Sequence, residues 1–378
     1  MATANQYLPK STRKALIQTA FLGLVIIIIW GAVSSARTNL SELGISSGFA
    51  FLDRATGWGY SFSLFERSID DTYARTLFIG FTNTLFLGIL SIILATILGV
   101  IMGTLRDARN IAAKSLATLF VQVFRNIPLI LQLVFWYAVL IHMPGPRQSY
   151  SLFDTIFLSN RGIMVPWLNM QPEAGMVLSL FAIALAFILF RWSGSGPLQK
   201  TGLWLIGTVV AAVLLASLSK PEGEPALSIP ALEGLRFQGG LTISIEFVAM
   251  VIAIVLYGAS YIAEVVRGGL QEVPKGLVEA GQSLGLSPGA VWTRIRMPMA
   301  LRTIIPPLGN QWIFLMKATT IGVAIGFSDL FMIVSTSITQ SGQTLELIGI
   351  LMASFLLINF TLALLVNALN ARLQLKGH

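Results

Sequence analysis

Long apolar stretches alternate with short polar ones along almost the whole chain. A helix needs roughly 20 apolar residues to cross the hydrocarbon core of a bilayer, with a tolerance of about 17–25. Stretches that meet or approach this length cover residues 15–36, 76–103, 115–141, 175–191, 202–218, 241–263, 304–328 and 345–369. The pattern predicts an all-α, polytopic membrane protein with about eight transmembrane helices.

Composition agrees with this prediction and excludes several functions. The chain is 55% hydrophobic and 11% charged, against roughly 25% charged residues in a soluble domain, so the bilayer is its main environment. Its net charge is +8, but no basic stripe interleaved with aromatic residues is present, which argues against a nucleic-acid partner. Cysteine is absent and the only histidines are His142 and His378, so we expect neither a catalytic site nor a metal site.

The positions of the charges orient the predicted helices. Basic residues concentrate in cytoplasmic segments of membrane proteins. With the N-terminus inside, 16 of the 25 lysine and arginine residues fall in cytoplasmic segments, together with only four acidic residues. The sequence therefore predicts a multi-pass protein of a bacterial inner membrane with both termini in the cytoplasm.

The spans also divide the chain into four parts. Residues 1–75 form the cytoplasmic N-terminus, a first helix and a periplasmic segment, and residues 76–141 form the first part of a membrane core. Residues 142–240 hold periplasmic segments and two short spans, and residues 241–378 form the second part of the core with a cytoplasmic loop at 264–303. The first apolar run is too long for the 7–15-residue core of a signal peptide, so we expect it to be retained.

The loop at 264–303 is the longest cytoplasmic stretch and carries signals for two short helices. Pro274 suits a helix start and Gly285 a helix end, while Ser287 followed by Pro288 forms an N-cap. The first helix places small and apolar residues on one face with a carboxylate beside them, which suits insertion into a partner's groove; a solvated loop is the alternative. The residues of that face are Leu277, Ala280 and Leu284.

No nucleotide site is evident in the chain. Residues 194–201 end in Lys-Thr like a phosphate-binding loop, but Gln199 stands where the glycine before the lysine is required. Energy for transport must therefore come from a partner or from an ion gradient.

The loop resembles the EAA loop of ABC importer permeases, the coupling helix that seats in the ATPase dimer. The resemblance rests on Glu279, Ala280, Gly281, Gly285, Ile295, Met297 and Pro298 at matching spacing. Gly281 replaces the usual alanine, which we expect to loosen the helix by about 1 kcal/mol; Met297 replaces the usual leucine. Segments 82–85, 124–133, 157–162, 306–307, 317–322 and 329–330 resemble the polar and general L-amino-acid permeases, the long form with extra spans.

This resemblance implies a five-helix core of the type I ABC importer kind, with an extra N-terminal helix and a two-helix insertion. It implies a permease subunit of an ATP-driven amino-acid importer that couples to a separate ATPase. The expected partners are an ATP-binding subunit dimer, a second related permease in a heterodimer and a periplasmic solute-binding protein. ATP and Mg would be bound by the ATPase, with no cofactor and no catalysis in this chain.

Polar residues within the spans are candidates for the translocation pathway, because ionisable and amide groups are costly in a bilayer. Lys317 is either a cation on the route of a substrate carboxylate or a structural residue. The hydroxyls of Thr319 and Thr320 either line a polar path or bond back to carbonyl groups of the helix. The polar side chains on the two core spans before the insertion either form a shared network or contact the substrate. Asp329 and Glu246 are placed near outer span ends, and the remaining candidates are Asn83, Thr84 and Gln132.

Two other features and one competing function follow from the same spans. Pro128 predicts a bend, and the pairs Gly99/Gly103 and Gly322/Gly326 predict close helix packing. The competing function is an ion-coupled secondary amino-acid transporter that uses Glu246, Lys317 and Asp329. An intramembrane enzyme lacks the necessary residues.

Overall fold

A computed structural model describes residues 10–373 apart from 43–47, 66, 109, 170–171, 193, 195, 221–222, 224 and 235. Both termini, residues 1–9 and 374–378, lie outside the described part. Their predicted cytoplasmic location therefore stays a prediction. The described helices are α1 Lys10–Glu42, α2 Tyr73–Arg106, α3 Ile111–Asn126, α4 Leu129–Ile141, α5 Pro172–Trp192, α6 Pro197–Ser219, α7 Ile245–Gln271, α8 Lys275–Ser283, α9 Pro288–Val291, α10 Met297–Ala318, α11 Leu330–Ser341 and α12 Thr344–Leu373. Short 3₁₀ segments cover Ala50–Asp53, Pro146–Gln148 and Thr319–Ile325, and a π-helical turn covers Trp292–Arg296.

The helices match the predicted spans closely. Five are long and apolar enough to cross a membrane, and two bent helix pairs bring the number to seven. The remaining predicted span, 175–191, falls in α5, whose apolar part Val177–Arg191 is shorter than the others. The predominantly helical membrane fold is confirmed, with eight as an approximate count.

Two predicted spans are bent rather than straight. The span predicted at 115–141 is broken at Pro128 into α3 and α4, whose axes differ by 102°, so the bend predicted from the proline is confirmed. The span predicted at 304–328 is wrong in its bounds. The helical pair runs on through α11 with a 48° bend after Ile325.

The most extensive helix packing joins α2 to α7, and two glycines of α2 allow the two helices to approach closely. A Cβ atom on Gly99 would lie 2.6 Å from the Cβ of Ile262, and one on Gly103 would lie 2.7 Å from the carbonyl oxygen of Ala263. The prediction of close packing at Gly99 and Gly103 is therefore confirmed. Gly322 also packs closely on α7, since a Cβ there would lie 3.1 Å from Cε of Met250. The matching prediction for Gly326 is wrong, because nothing lies within 4 Å of a Cβ there and the residue ends a 3₁₀ segment with φ +74°.

The extra helices sit apart from this core. In the insertion, α5 packs on α6, where the indole nitrogen of Trp204 donates to the carbonyl of Ala182 over 2.8 Å. In α1, none of the apolar stretch Thr12–Ala36 is buried. Both observations fit helices that add to a membrane core without forming it.

Short strands, which the sequence did not predict, occupy the segments before and after the insertion. They are β1 Tyr150–Leu152, β2 Ile156–Ser159, β3 Gly162–Val165, β4 Trp167–Leu168, β5 Leu227–Ser228, β6 Ala231–Glu233, β7 Arg236–Gln238 and β8 Leu241–Ile243. The order β1-β2-β3-β8 makes one antiparallel four-stranded sheet, here called the outer sheet. Because β3 and β8 lie on either side of the insertion in sequence, their pairing brings the two halves of the core together.

Candidate functional site

The loop predicted at 264–303 is shorter in the structure. Helix α7 continues to Gln271 and α10 already begins at Met297, so residues 272–296 form what we call the docking element. Pro298 lies in the first turn of α10, which continues directly from the π-helical turn Trp292–Arg296. The predicted loop was too long because charged residues near the ends of α7 and α10 do not interrupt these helices.

The first helix of the docking element ends as its sequence predicts. Gly285 takes φ +79°, and the N–H of Leu286 donates to the carbonyl of Gly281 over 3.2 Å. This arrangement satisfies carbonyl groups that would otherwise lack partners. The second helix begins with the hydroxyl of Ser287 accepting from the N–H of Ala290 over 3.3 Å, and Pro288 follows.

Gly281 has a packing role that its sequence position did not reveal. It is buried, and a Cβ there would lie 2.5 Å from Cδ1 of Ile295 and 3.5 Å from Cγ2 of Val291. The glycine therefore lets α8 lie directly on α9 and the π-helical turn. This contact opposes the expected loosening of α8. Gly281 and Ile295, two of the residues on which the resemblance of the loop rests, therefore touch each other in the structure.

Other side chains of α8 and of its C-terminal cap are open to a partner. Leu277 is 44% exposed and Leu284 is 83% exposed, and Ala280 and Glu279 are exposed beside them. Apolar side chains next to a carboxylate on a short helix suit a groove with a basic rim. Between this helix and the core lies a cleft of about 610 Å³. Its lining residues include Asp107, Gln271, Lys275, Glu279, Gln282 and Arg296.

An ion pair fixes the docking element to the core. Nη2 of Arg296 lies 2.5 Å from Oδ2 of Asp107, the residue that ends α2, and 3.4 Å from the carbonyl oxygen of Leu270 in α7. The guanidinium also lies 5.2 Å from the ring centre of Trp292. Because Asp107 and Arg296 are 14% and 27% exposed, this pair is less screened than a surface pair.

A second cluster of charges lies at the same end of the core. Glu264 on α7 accepts hydrogen bonds from Arg106 and Arg267, and Arg125 lies 3.8 Å away. The cluster therefore joins α2, α3 and α7 close to the docking element. The pairs Asp107–Arg296 and Glu264–Arg106 were not predicted, since their partners are far apart in sequence.

At the other end of the core, Asn83 and Thr84 of α2 are fully buried. The amide nitrogen of Asn83 donates to the carbonyl of Ser328 over 2.8 Å and to that of Phe62 over 3.1 Å. The hydroxyl of Thr84 accepts from the N–H of Leu330 over 2.9 Å. These bonds hold the turn between the 3₁₀ segment and α11 against α2.

Asp329 lies inside this turn, at the outer end of the core where the sequence placed it. It is 0% exposed and caps α11, with Oδ1 accepting from the N–H of Met332 over 2.9 Å. Its role as an N-cap was not predicted, because α11 was not predicted. Glu246, in the first turn of α7, is partly buried.

The remaining candidates differ in exposure. Gln132 is 3% exposed and donates to the carbonyls of Phe124 and Ile127 over 2.8 and 2.9 Å, so it satisfies groups that the bend at Pro128 leaves open. The hydroxyls of Thr319 and Thr320 bond back to carbonyls of Met316 and Lys317. Their roles in a pathway stay predictions.

Lys317 is exposed and has no ion pair within the described part of the chain. It shares one face of α10 with Asn310, which lies two turns earlier and is also exposed. An ammonium group in a membrane helix is stable only beside water, a counter-charge or the headgroups. This face of α10 therefore offers a cation and an amide to a pathway.

A bundle of apolar helices that carries an anchored, exposed docking element defines a membrane permease subunit. The model of the family described as binding-protein-dependent transport system inner membrane component matches residues 95–375. The chain belongs to this family and is a multi-pass protein of the inner membrane.

Named relatives extend the match to almost the full length. The chain is 37% identical to the putative amino-acid ABC transporter permease protein YhdX of Escherichia coli strain K12, with 97% of this chain and 95% of YhdX covered. It is 36% identical to the general L-amino acid transport system permease protein AapQ of Rhizobium johnstonii, with coverage of 94% and 91%. It is 32% identical to the glutamate/glutamine/aspartate/asparagine transport system permease protein BztB of Rhodobacter capsulatus, with coverage of 96% and 94%.

The anchoring ion pair makes a direct prediction. Replacing Arg296 by alanine removes a charge-assisted hydrogen bond worth about 1.5 kcal/mol, so the docking element should open about tenfold more often. Hydrogen exchange of the α8 amides, followed by mass spectrometry on the purified protein, measures this opening. Arg294→Ala, which removes an exposed arginine from the same turn, is the control, and equal exchange in the two variants would contradict the anchoring role.

Proposed function

We propose that this chain is the permease subunit of an ATP-driven amino-acid importer and that it couples to ATPase subunits through residues 272–296. The observation that carries the proposal is the docking element itself, which has an exposed face for a partner and is held to the core by Asp107 and Arg296. The names of YhdX, AapQ and BztB support amino acids as the substrate class.

The same family relationship supports a proposed assembly of this permease with three kinds of partner. A second, related permease completes the pathway as a heterodimer, and a dimer of ATP-binding subunits binds ATP and Mg on the cytoplasmic side. A periplasmic solute-binding protein delivers the amino acid to the outer face. The permease itself performs no catalysis, and both of its termini lie in the cytoplasm.

Glu279 provides the test of docking. Its carboxylate lies at the exposed face of α8 and at the mouth of the cleft, where a basic group of the ATPase would meet it. Glu279→Lys reverses this charge, and we expect the affinity for the ATPase to fall at least about tenfold. Co-purification of the ATPase with the tagged permease measures the effect.

Glu272→Lys is the matched control, because Glu272 is also exposed and lies at the start of the docking element. We expect it to retain the ATPase at the wild-type yield. Retention of the ATPase by Glu279→Lys, with normal transport, would exclude Glu279 from the interface.

The face of α10 that carries Lys317 and Asn310 is the proposed lining of the pathway, together with Thr320 at its outer end. An ammonium group beside the route attracts the carboxylate of an amino acid in a setting where water is scarce. Asn83, Thr84, Gln132, Thr319 and Asp329 would support this lining from behind, since they are buried.

Substitution of Lys317 by methionine tests the lining. The variant loses a charge-assisted hydrogen bond in the pathway, which is worth about 1.5–3 kcal/mol, so ATP-driven amino-acid uptake should fall at least about tenfold while the ATPase still co-purifies. Lys114→Met, at the exposed start of α3, should leave uptake unchanged. Normal uptake by Lys317→Met would assign Lys317 a structural role.

The ion-coupled alternative receives little support from the geometry. It requires a shared site for Glu246, Lys317 and Asp329. Asp329 is instead enclosed as the cap of α11, and Lys317 forms no ion pair with either carboxylate.

A further inference from the structure

The outer sheet is built directly onto a core helix. Its strand β8 leads through Ser244 into α7, and the hydroxyl of Ser244 accepts from the N–H of Phe247 over 3.3 Å. Gly162 in β3 takes φ +131° and packs so closely on the carbonyl of Ile243 that no side chain fits there. The sheet therefore cannot move independently of the start of α7.

The far edge of this sheet is apolar and uncovered. Strand β1 lies three strands from β8, about 14 Å away at ordinary strand spacing, and has no partner on its outer side among the described strands. Tyr150 is 61% exposed, Leu152 is 55% exposed and Phe153 is 86% exposed. Exposed edges with large apolar side chains are sites at which other chains bind.

The turn after β1 presents Phe153 at a backbone cost. Phe153 and Asp154 have φ of +55° and +51°, and they are the two positive-φ residues other than glycine among the described residues. Asparagine or glycine would take this conformation more readily, and a bulky residue rarely adopts it. Strain of this kind persists mostly at sites of function.

We propose that the tip of the β1–β2 hairpin, Tyr150 to Asp154, is the surface on which the solute-binding protein docks. The proposal rests on the proposed function and extends it by assigning the partner's contact. Phe153 is the aromatic anchor that enters an apolar recess of the binding protein, and Asp154 fixes its orientation by pairing with a basic group.

The position of the outer sheet at the start of α7 favours the solute-binding protein as the partner. The family is described by its dependence on a binding protein, and the sheet precedes α7 whereas the docking element follows it. Helix α7 has 27 residues, about 40 Å at 1.5 Å per residue, so the hairpin and the docking element lie on opposite sides of the membrane. An anionic lipid surface would disfavour Asp154 beside the anchor.

The absence of cysteine in the chain permits a clean test. Phe153→Cys, labelled with an environment-sensitive fluorophore, is assembled with the partner permease and the ATPase in nanodiscs, and the probe is the substrate-loaded solute-binding protein encoded beside this permease. We expect a saturable blue shift of the label as the binding protein is added. Leu232→Cys, which places the label on the exposed β6 strand, should show no shift.

Three results of this experiment would overturn the proposal. The first is an unchanged label while the binding protein stimulates ATP hydrolysis. The second is quenching of the label by brominated lipids in the absence of the binding protein, which would place the tip in the bilayer. The third is a disulfide between the hairpins of two copies when the Phe153→Cys variant is left unlabelled and treated with a mild oxidant, which would make the tip a contact between copies of this chain.

A second variant separates this proposal from the proposed function. Phe153→Asp should raise the concentration of binding protein that gives half-maximal ATPase stimulation at least about fivefold. Equal stimulation of wild type and variant would remove the hairpin from the interface and leave the importer assignment intact. No stimulation of the wild-type assembly would instead contradict the importer assignment itself.

Discussion

The ion pair between Asp107 and Arg296 joins the docking element to the two helices that form the centre of the membrane core. Asp107 ends α2, and Arg296 also reaches the carbonyl of Leu270 near the end of α7. A short amphipathic helix such as α8 has little stability of its own, so its orientation depends on these anchors and on the contact between Gly281 and Ile295. Without them, movement of an attached ATPase would turn α8 and leave the membrane helices where they are.

The core is suited to receive such movement as a rigid body. Gly99 and Gly103 let the backbones of α2 and α7 touch. Near the docking element, Glu264 of α7 accepts hydrogen bonds from Arg106 of α2 and from Arg267 of α7, which joins the ends of the two helices. At the outer end, Asn83 and Thr84 hold the turn before α11 to α2. Helix α7 therefore connects the docking element to the outer sheet through one continuous, well-packed element, and the exposed face of α10 lies beside it.

Local rules predicted a large part of this structure. Hydrophobic length found the spans, Pro128 marked the bend, and Gly285 and Ser287 marked the ends of the two short helices. These signals act over a few residues, so one sequence is enough to read them. The short strands were missed because pairs such as Ile163 and Ile243 are separated by the whole two-helix insertion, and three-residue strands carry no periodicity.

The candidate site shows the same division. Leu277, Ala280 and Leu284, which helical spacing predicted to share one face, are all exposed, and so is Glu279; their contact with a partner stays a prediction. The pairing of Arg296 with Asp107 and of Glu264 with Arg106 could not be predicted, since these ion pairs join residues that are far apart in sequence. The burial of Asp329 as the N-cap of α11 was not predicted, because the bend after Ile325 allows a further helix to continue where the apolar pattern indicated an end.

The central claim is that ATP hydrolysis in a partner, and no ion gradient, drives transport through this chain. The most direct measurement is the uptake of a radiolabelled L-amino-acid mixture into proteoliposomes that contain the assembled permeases and ATPase, with the solute-binding protein outside. The account predicts that uptake requires ATP on the ATPase side and persists when ionophores collapse every ion gradient. Uptake driven by a gradient without ATP would contradict it.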